Sequence, residues 1–315
     1  MKNQSFALCL AVTTLLAPTA FAQGDALQGQ GKAVVTVLPK KDGAAPPSIT
    51  GQDMSIKVEG RPARVTSWKS LQSPENAIEL VLLIDGSARS SLGTQFQSIE
   101  GFVKSLPPNI KAAIAYMQNG RAVFAGGFTT DHAQVLRGLH LSNGSAGSSA
   151  SPYFCLSDLA KNWPSSEKAA RREVVMVTDG IDPYHPEYDP EDPYLQAAIN
   201  DSVRAGLVVY SIYWQGKGGA SNSSYETNAG QGLLNEVAQA TGGKSYWMGM
   251  GNPVSFDPYF DELTRRFRNQ YELGFTTGLT GKPKIEELKL KFSAPGAEVD
   301  APGQVMVYPA APAQN

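Results

Sequence analysis

Two acidic residues follow two apolar runs of the sequence and could together form a polar ligand site. Residues 80–84 are Leu-Val-Leu-Leu-Ile and lead into Asp85 and Ser87, and residues 173–182, EVVMVTDGID, carry Asp179 after a similar run. Two carboxylates over one crevice repel each other unless a positive charge relieves them. Mg²⁺ and Ca²⁺ accept carboxylate and hydroxyl oxygens. Asp85, Ser87 and Asp179 are therefore candidate ligands of a divalent cation.

The elements that would position these residues are two buried strands. A dense run of branched apolar residues is typical of a strand covered on both faces in a parallel sheet. Open α/β sheets bind ligands at the carboxyl ends of such strands. In the alternative interpretation, Asp85 and Ser87 only turn the chain and cap the next helix.

These residues also carry a family resemblance. Asp85-Gly86-Ser87 after an apolar strand, with VVMVTDG downstream, resembles a von Willebrand factor A domain over roughly residues 77–270. That family holds a metal ion at an adhesion site made from Asp-x-Ser-x-Ser, a Thr before a middle helix and an Asp after the fourth strand. By position, the resemblance implies metal ligands at Asp85, Ser87, Ser151 and Asp179, with Ser149 as the alternative to Ser151, and Mg, Ca or Mn as the ion.

One position departs from the family pattern. Arg89 stands where the motif has its last serine. A guanidinium donates hydrogen bonds, accepts none and cannot ligate a cation. If Arg89 points inward, it repels an ion and could itself neutralise Asp85 or Asp179. If it points outward, Ser90 or Ser91 could supply the missing hydroxyl, and a third interpretation is a relic site that binds nothing.

Two long polar loops are expected at the rim of the same crevice. Residues 181–193 combine five acidic residues with Tyr184 and His185, and residues 215–228 contain Tyr225. Loops that follow the strands of a sheet tend to carry recognition. Together with Arg89, these three residues are predicted to contact a partner. The acidic loop lacks the spacing and glycine of a known calcium loop, so a solvated, proline-stiffened loop is its alternative.

The chain is predicted to have four segments. Residues 1–22 have a basic start, a short apolar centre and Ala20-Phe21-Ala22, which predicts a cleaved signal peptide and a secreted or periplasmic protein; a membrane anchor is the alternative. No other stretch is long and apolar enough to cross a bilayer. Residues 23–74 and 271–315 alternate as β-strands, whereas residues 75–270 alternate between helical and strand patterns.

The predicted fold class follows from this order. We expect an α/β domain with a doubly wound, mostly parallel sheet at residues 75–270. Neither flank has enough strands to bury a face alone. The two flanks are therefore expected to pair into a small β-sandwich, an arrangement that resembles a secreted bacterial subfamily of acidobacterial type with the A domain at its centre.

Composition narrows the function classes. The chain is 42% hydrophobic with a formal charge of −2, and no basic cluster points to nucleic acid. None of the three histidines lies in a two-histidine metal motif, and Ser87 is not in a nucleophile elbow. Cys155 is the single cysteine after the predicted signal peptide, so it cannot form an intramolecular disulfide.

The sequence therefore predicts a secreted binding or adhesion module rather than an enzyme. The expected partner is a protein, engaged through a carboxylate by way of the cation or of Arg89. Two alternatives stay open: a secreted hydrolase that uses Ser87 and the acidic loop, and a structural envelope protein that binds nothing.

Overall fold

The computed structural model describes residues 28–41, 49–73, 75–141, 151–216, 223–278 and 282–310. The predicted signal peptide, Ser149 and residues 217–222 of the second polar loop lie outside these ranges. Within them, no helix combines the length and the apolar character needed to span a membrane.

The elements alternate along the described chain. The strands are β1 (Gln28–Pro39), β2 (Met54–Val58), β3 (Arg61–Ser70), β4 (Ile78–Asp85), β5 (Ile110–Gln118), β6 (Arg121–Phe124), β7 (Arg171–Thr178), β8 (Leu207–Tyr213), β9 (Ser245–Tyr246), β10 (Gln270–Gly278), β11 (Lys284–Phe292), β12 (Ala297–Asp300) and β13 (Gln304–Pro309). The helices are α1 (Phe96–Ser105), α2 (His132–Leu136), α3 (Pro152–Lys161), α4 (Pro193–Ala205), α5 (Ser224–Thr241) and α6 (Asp257–Arg268).

A mixed sheet of six strands forms the centre of the molecule. Its order is β6-β5-β4-β7-β8-β9, and all neighbours are parallel except β6, which runs antiparallel to β5. Every residue of β4 is buried, because apolar side chains cover the strand on both faces. The carboxyl ends of β4, β7 and β8 consequently lie together at one edge of the sheet.

Helices cover both faces of this sheet. On one face Leu80 and Leu82 share a core with Phe102 of α1 and Leu263 of α6. On the other face Val81, Leu83 and neighbouring strand residues pack against α3, α4 and α5. Successive strand residues point to opposite faces, so β4 contributes alternately to both cores. Burying each large aliphatic side chain stabilises the fold by roughly 1.5–3 kcal/mol.

The flanking strands form a closed antiparallel barrel. Six of them run in the order β10-β3-β2-β11-β13-β1, pairing of β1 with β10 closes the ring, and β12 pairs with the far end of β1. The interior holds Val35, Val37, Leu273 and other apolar side chains. A Cβ on Gly31 would lie 2.4 Å from Cζ of Phe275. Glycine at this position therefore leaves room for the ring inside the barrel.

The predicted fold class is wrong. The central sheet is mixed, because the turn at Asn119 and Gly120, both with positive φ, reverses the chain and adds an antiparallel edge strand. The flanks make a closed barrel instead of a β-sandwich, because β1 pairs with β10 on one side and β13 on the other. After β4, Ser90–Gln95 is a 3₁₀ helix and α1 follows it directly.

A buried ion pair connects the barrel to the mixed sheet's helices. Arg266 of α6 is fully buried, with Nε 2.9 Å from Oε1 of Glu262 and Nη1 2.8 Å from Oδ2 of Asp300 in β12. Removing one partner of a buried pair leaves an uncompensated charge. This contact therefore couples α6 to the barrel. The division of the chain at residues 74 and 270 stays a prediction.

Candidate functional site

Asp85 ends β4 at the carboxyl edge of the mixed sheet and is almost fully buried. Its Oδ1 accepts hydrogen bonds from the backbone N–H of Ser87 at 2.7 Å and from Ser87 Oγ at 2.6 Å. Its Oδ2 accepts from Oγ1 of Thr178, the last residue of β7, at 2.7 Å. Charge-assisted bonds of this kind stabilise the ionised carboxylate. The ends of two adjacent strands are thus joined through Asp85.

Thr178 is a site residue that the sequence reasoning missed. It ties β7 to Asp85 and also accepts a hydrogen bond from the backbone N–H of Gly180 at 3.2 Å. The signal was present, since a hydroxyl residue directly precedes Asp179 at the end of an apolar run.

Asp179 follows β7 and connects it to the end of β8. Its Oδ1 accepts from the backbone N–H of Ile181 at 3.0 Å, and its Oδ2 accepts from the backbone N–H of Gly216 at 3.1 Å. Gly216 lies just past β8. A second acidic side chain is therefore fixed at the same sheet edge by backbone donors.

Gly216 lies beside a space that Ser87 and Asp179 both face. A Cβ on Gly216 would lie 2.6 Å from Oδ2 of Asp179 and 3.4 Å from Oγ of Ser87. Both oxygens therefore lie on the same side of Gly216, and any larger residue would occupy the space between them. The structure brings Asp85, Ser87 and Asp179 together at one edge.

Arg89 lies beside the same glycine. Its Nε donates to the carbonyl oxygen of Gly216 at 2.9 Å, and its backbone N–H donates to the carbonyl of Gln215 at 3.1 Å. The guanidinium thus lies against the loop that follows β8, while Ser90 and Ser91 are exposed. A fixed positive charge next to the shared space favours an anion there.

Ser151 is buried directly before α3 and contacts the acidic loop that follows β7. Its Oγ donates to Oδ2 of Asp182 at 2.6 Å, while Oδ1 of Asp182 accepts from the backbone N–H of Tyr184 at 2.9 Å. Asp182 was foreseen only as part of an acidic loop, yet it is 2% exposed. The partner of Ser151 is therefore Asp182, and this pairing holds the start of α3 to the acidic loop.

A buried tyrosine lies behind the acidic residues. The Tyr153 hydroxyl donates to the carbonyl oxygen of Gly180 at 2.6 Å. Burial raises the pKa of Tyr153 well above its ordinary value, and the charges of Asp179, Asp182 and Asp192 raise it further. The hydroxyl therefore stays protonated and remains a donor at neutral pH.

Aromatic side chains form one part of the rim. The Phe154 ring lies 6.0 Å from Tyr184 and 4.7 Å from Tyr194, and the His185 ring lies 5.7 Å from Tyr194. Nδ1 of His185 is 3.9 Å from Oδ2 of Asp192. The structure thus groups Tyr184 with His185, whereas Tyr225 lies separately in the first turn of α5 and is 60% exposed.

A second part of the rim was not foreseen from the sequence. After β9, the side chains of Trp247, Met248, Met250 and Val254 are all exposed, Val254 by 90%. Asn252 anchors this loop to the crevice, because its Oδ1 accepts from the backbone N–H of Gln215 at 2.7 Å. The signal available in the sequence was the group of apolar residues that closely follows the short strand β9.

The exposed apolar residues are concentrated at this edge. Ten large apolar side chains are exposed in the described part of the chain, and eight of them lie in loops or helix starts that follow β7, β8 or β9. Those eight are Tyr184, Tyr188, Tyr194, Tyr225, Trp247, Met248, Met250 and Val254. Such patches mark sites of interaction with other molecules.

The crevice offers only part of the ligand set that a divalent cation requires. In the described ranges, no group of three or more His, Cys, Asp or Glu residues is placed to hold a metal ion. The available donors are oxygens only, which suits Mg²⁺, Ca²⁺ or Mn²⁺. Both oxygens of Asp85 and both oxygens of Asp179 already accept hydrogen bonds, so a bound ion would share the carboxylates with these donors. Ser87 Oγ and Asp179 Oδ2 are the oxygens that lie beside the space at Gly216.

Comparisons with known proteins give structural similarity only. No protein-family model and no curated protein matches the chain. An aerotolerance-related membrane protein from Bacteroides fragilis is 15% identical, with a TM-score of 0.43, over 61% of this chain and 98% of that one. The VWA domain of SpRpn10 is 10% identical, with a TM-score of 0.42, over 59% of this chain and 95% of that one.

A third solved structure holds a metal in its own site. It is proximal thread matrix protein 1 from the mussel byssus, with a zinc-occupied MIDAS motif. That protein is 12% identical, with a TM-score of 0.40, over 67% of this chain and 50% of that one. At these scores the neighbours do not identify the function of this chain.

Proposed function

We propose that the carboxyl edge of the mixed sheet binds a protein partner, and that the chain is a non-enzymatic, adhesion-type interaction module. The observation that carries this proposal is the convergence of Asp85, Ser87 and Asp179 around Gly216, within a rim of eight exposed apolar side chains. Exposed aromatic and apolar side chains are the usual anchors of a protein interface, and the polar centre would fix the orientation of the partner.

In this proposal a divalent cation, Mg, Ca or Mn, completes the polar centre. Ser87 Oγ and Asp179 Oδ2 would hold it, and Asp85 would orient Ser87 through their 2.6 Å hydrogen bond. When bound, the ion would supply an open position for a partner carboxylate. In this proposal the partner's oxygen would complete the coordination of the ion.

Arg89 supports the same partner chemistry. Its guanidinium is held beside the crevice by the carbonyl oxygen of Gly216. A guanidinium recognises a carboxylate through parallel hydrogen bonds. A carboxylate that enters the crevice would therefore meet Arg89 as well as the ion, and Arg89 lowers the affinity for the ion when no partner is bound.

The geometry around Ser87 supports a binding role over hydrolysis. Its hydroxyl donates to Asp85, and His185 lies near Asp192 instead of near Ser87. A serine–histidine–acid triad needs the histidine within hydrogen-bonding reach of the serine, and His185 does not supply this contact. Secretion or export to the periplasm is part of this proposal and rests on the character of residues 1–22.

Calorimetric titration with Mg²⁺, Mn²⁺ and Ca²⁺ tests the ion. We expect heat from at least one ion with the wild type and none with Ser87→Ala or Asp179→Asn. Glu187→Gln, which changes an exposed acid in the neighbouring loop, is the matched control and should bind like the wild type. Absence of binding by the wild type would remove the cation from the proposal.

Capture of envelope proteins on the immobilised chain tests the binding function. We expect a specific partner whose retention is lost with Asp179→Asn and with Trp247→Ala, but kept with Glu187→Gln. A partner retained equally by all four proteins would contradict binding at this edge. Dependence on EDTA separates an ion-mediated contact from one made by Arg89 alone.

A further inference from the structure

A cleft of about 750 Å³ lies at the opposite edge of the mixed sheet, where the barrel meets it. One wall is the outer surface of β1, β3, β10 and β13, and the other is the end of α4 with the start of β8. Small-molecule sites have volumes in this range and often lie between structural units. This cleft is independent of the site at the carboxyl edge.

The barrel wall of the cleft is polar. Lys32, Gly274 and Ser67 lie in one row across β1, β10 and β3, since Lys32 pairs with Gly274 and Gly274 with Ser67. A Cβ on Gly274 would lie 2.3 Å from Ser67 Oγ and 3.3 Å from Thr66 Oγ1. Because Gly274 has no side chain, two hydroxyl groups line an open floor beside a lysine.

The charge of the lining is positive. Lys32, Lys168 and Arg204 contribute three cations and Glu272 one carboxylate, whereas the whole chain has a formal charge of −2. Lys32 Nζ lies 3.0 Å from Oε1 of Glu272, so this pair is neutral overall. Arg204 Nη1 lies 3.2 Å from Oδ1 of Asp201, so Lys168 is the lining cation that gives the cleft a net attraction for an anion.

Apolar residues of the lining come from both walls. Val203 at the end of α4 and Leu207 at the start of β8 are buried in the core on one face of the mixed sheet, and Met306 of β13, on the barrel side, is half-buried against that same core. All three residues line the cleft. An aliphatic chain placed against Met306 and the edge of this core would be removed from water, which is favourable.

We propose that this cleft binds a single-chain amphipathic anion. The alkyl chain lies against Met306 and Val203. The anionic head, a carboxylate or a phosphate, lies near Lys32 and Lys168 and accepts hydrogen bonds from the hydroxyls of Thr66 and Ser67. Apolar and cationic residues in one cleft match the two ends of such a molecule.

The test uses decanoate, decyl phosphate, decanol and inorganic phosphate, each below the concentration at which it self-associates. Binding is followed by NMR of the ¹³C-labelled methionine methyl groups. Met306 reports on the cleft, Met117 and Met176 on the core, and Met248 and Met250 on the rim of the other site. The two anions distinguish a carboxylate head from a phosphate head.

We expect decanoate or decyl phosphate to shift the Met306 methyl signal saturably, with decanol binding more weakly. Lys32→Gln combined with Lys168→Gln should weaken binding of the anion about thirtyfold, since each lost contact with a charged head is worth about a factor of five. Lys289→Gln is the control, because Lys289 is also an exposed barrel lysine with a glutamate partner, at 2.9 Å.

Three results would overturn the proposal. The first is no saturable shift at Met306 with either anion. The second is a shift confined to Met248 and Met250, which would place the ligand at the other edge. The third is binding of decanol that equals that of the anions and does not respond to the lysine changes. Inorganic phosphate binding as tightly as decyl phosphate would remove the apolar contacts from the proposal.

Discussion

Thr178 determines how the ends of the two central strands meet. Its hydroxyl donates to the buried Oδ2 of Asp85 across the β4–β7 pair. Valine at this position would keep the shape of the side chain and remove the donor. The carboxylate would then lose a charge-assisted hydrogen bond in a buried setting.

Thr178→Val is therefore expected to lower the free energy of unfolding by about 1.5–3 kcal/mol. Thr178→Ser keeps the hydroxyl and should lose less. Urea unfolding of the three proteins at pH 7 measures the difference. An unchanged free energy of unfolding in Thr178→Val would contradict a stabilising role for the hydrogen bond to Asp85.

The position of Arg89 predicts that its substitution increases the affinity for a divalent cation. Arg89→Ser removes a positive charge held beside the crevice and restores a hydroxyl at that position. If Ser87 and Asp179 hold a cation, its affinity should rise about tenfold or more, because the repulsion disappears. Arg89→Lys retains the charge and should give no increase in the same calorimetric titration. An unchanged affinity in Arg89→Ser would separate Arg89 from the ion site.

The burial of Glu173 predicts that the free energy of unfolding depends on pH. It is fully buried near Arg171, Tyr210 and Gln270, and burial raises its pKa to about 7 despite the opposing charge of Arg171. The ordinary pKa of a glutamate side chain is 4.5. A raised folded-state pKa means that its contribution to stability is fully present below pH 4.5 and is lost as the pH rises to about 7.

Glu173→Gln should remove this part of the pH dependence. The variant is expected to match the wild type near pH 4.5 and to exceed its unfolding free energy at pH 8, by an amount of order 3 kcal/mol. Urea unfolding between these pH values gives the comparison. Glu100→Gln, an exposed change on α1, is the control and should leave the slope unchanged. Identical slopes for Glu173→Gln and wild type would contradict the assignment.

At the scale of elements, the ends of α4 and α5 offer a matched pair of glycines. Gly206 follows α4 with φ of 68° and would meet nothing within 4 Å if it gained a Cβ. Gly242 follows α5 with φ of 83°, and its Cβ would lie 2.9 Å from the backbone N of Pro302. Both helices therefore end on a left-handed residue, but only α5 does so against the barrel.

Gly206→Ala is expected to destabilise the protein by about 1 kcal/mol, the usual strain of alanine in the left-handed region. Gly242→Ala should lose clearly more, because the methyl group also presses on the loop around Pro302. Thermal and urea unfolding of both variants test this difference. Equal losses would mean that the loop moves aside without penalty.

Some elements could be predicted from the sequence because their signals are local. The run before Asp85 is apolar throughout, and every residue of β4 is buried. The partner of Ser151 could not be predicted, because the bond to Asp182 joins residues 31 positions apart in a tertiary contact. The loop with Trp247 and Val254 has no periodic pattern that would predict a surface for binding.

At the scale of the whole molecule, the flanks show where sequence reasoning stops. Alternation along β1 and β10 indicates which side chains are buried, and a sandwich or a barrel satisfies that pattern equally well. Closure depends on β1 pairing with both β10 and β13, a fact of tertiary geometry. The fold-class error arose there and at the antiparallel strand β6.

The shared barrel predicts the result of a truncation. Ending the chain after Gln270 removes nearly all of β10 and all of β11–β13, so β1 loses every strand partner. We expect residues 28–39 and 61–70 to lose protection from hydrogen exchange, while β4 and β7 keep theirs. Removal of residues 311–315 alone is the control and should leave protection unchanged. Full protection of β1 in the long truncation would contradict the closed barrel.

The ion pair between Lys32 and Glu272 joins residues 240 positions apart, on the strands that close the ring. During synthesis at about 5–20 residues per second, the first strands of the barrel would wait about 10–50 s for their last neighbours to leave the ribosome. Over that interval their open edges are templates for contact with other nascent chains. The order of the segments along the chain therefore leaves the barrel's edges unpaired until synthesis of the last strands is complete.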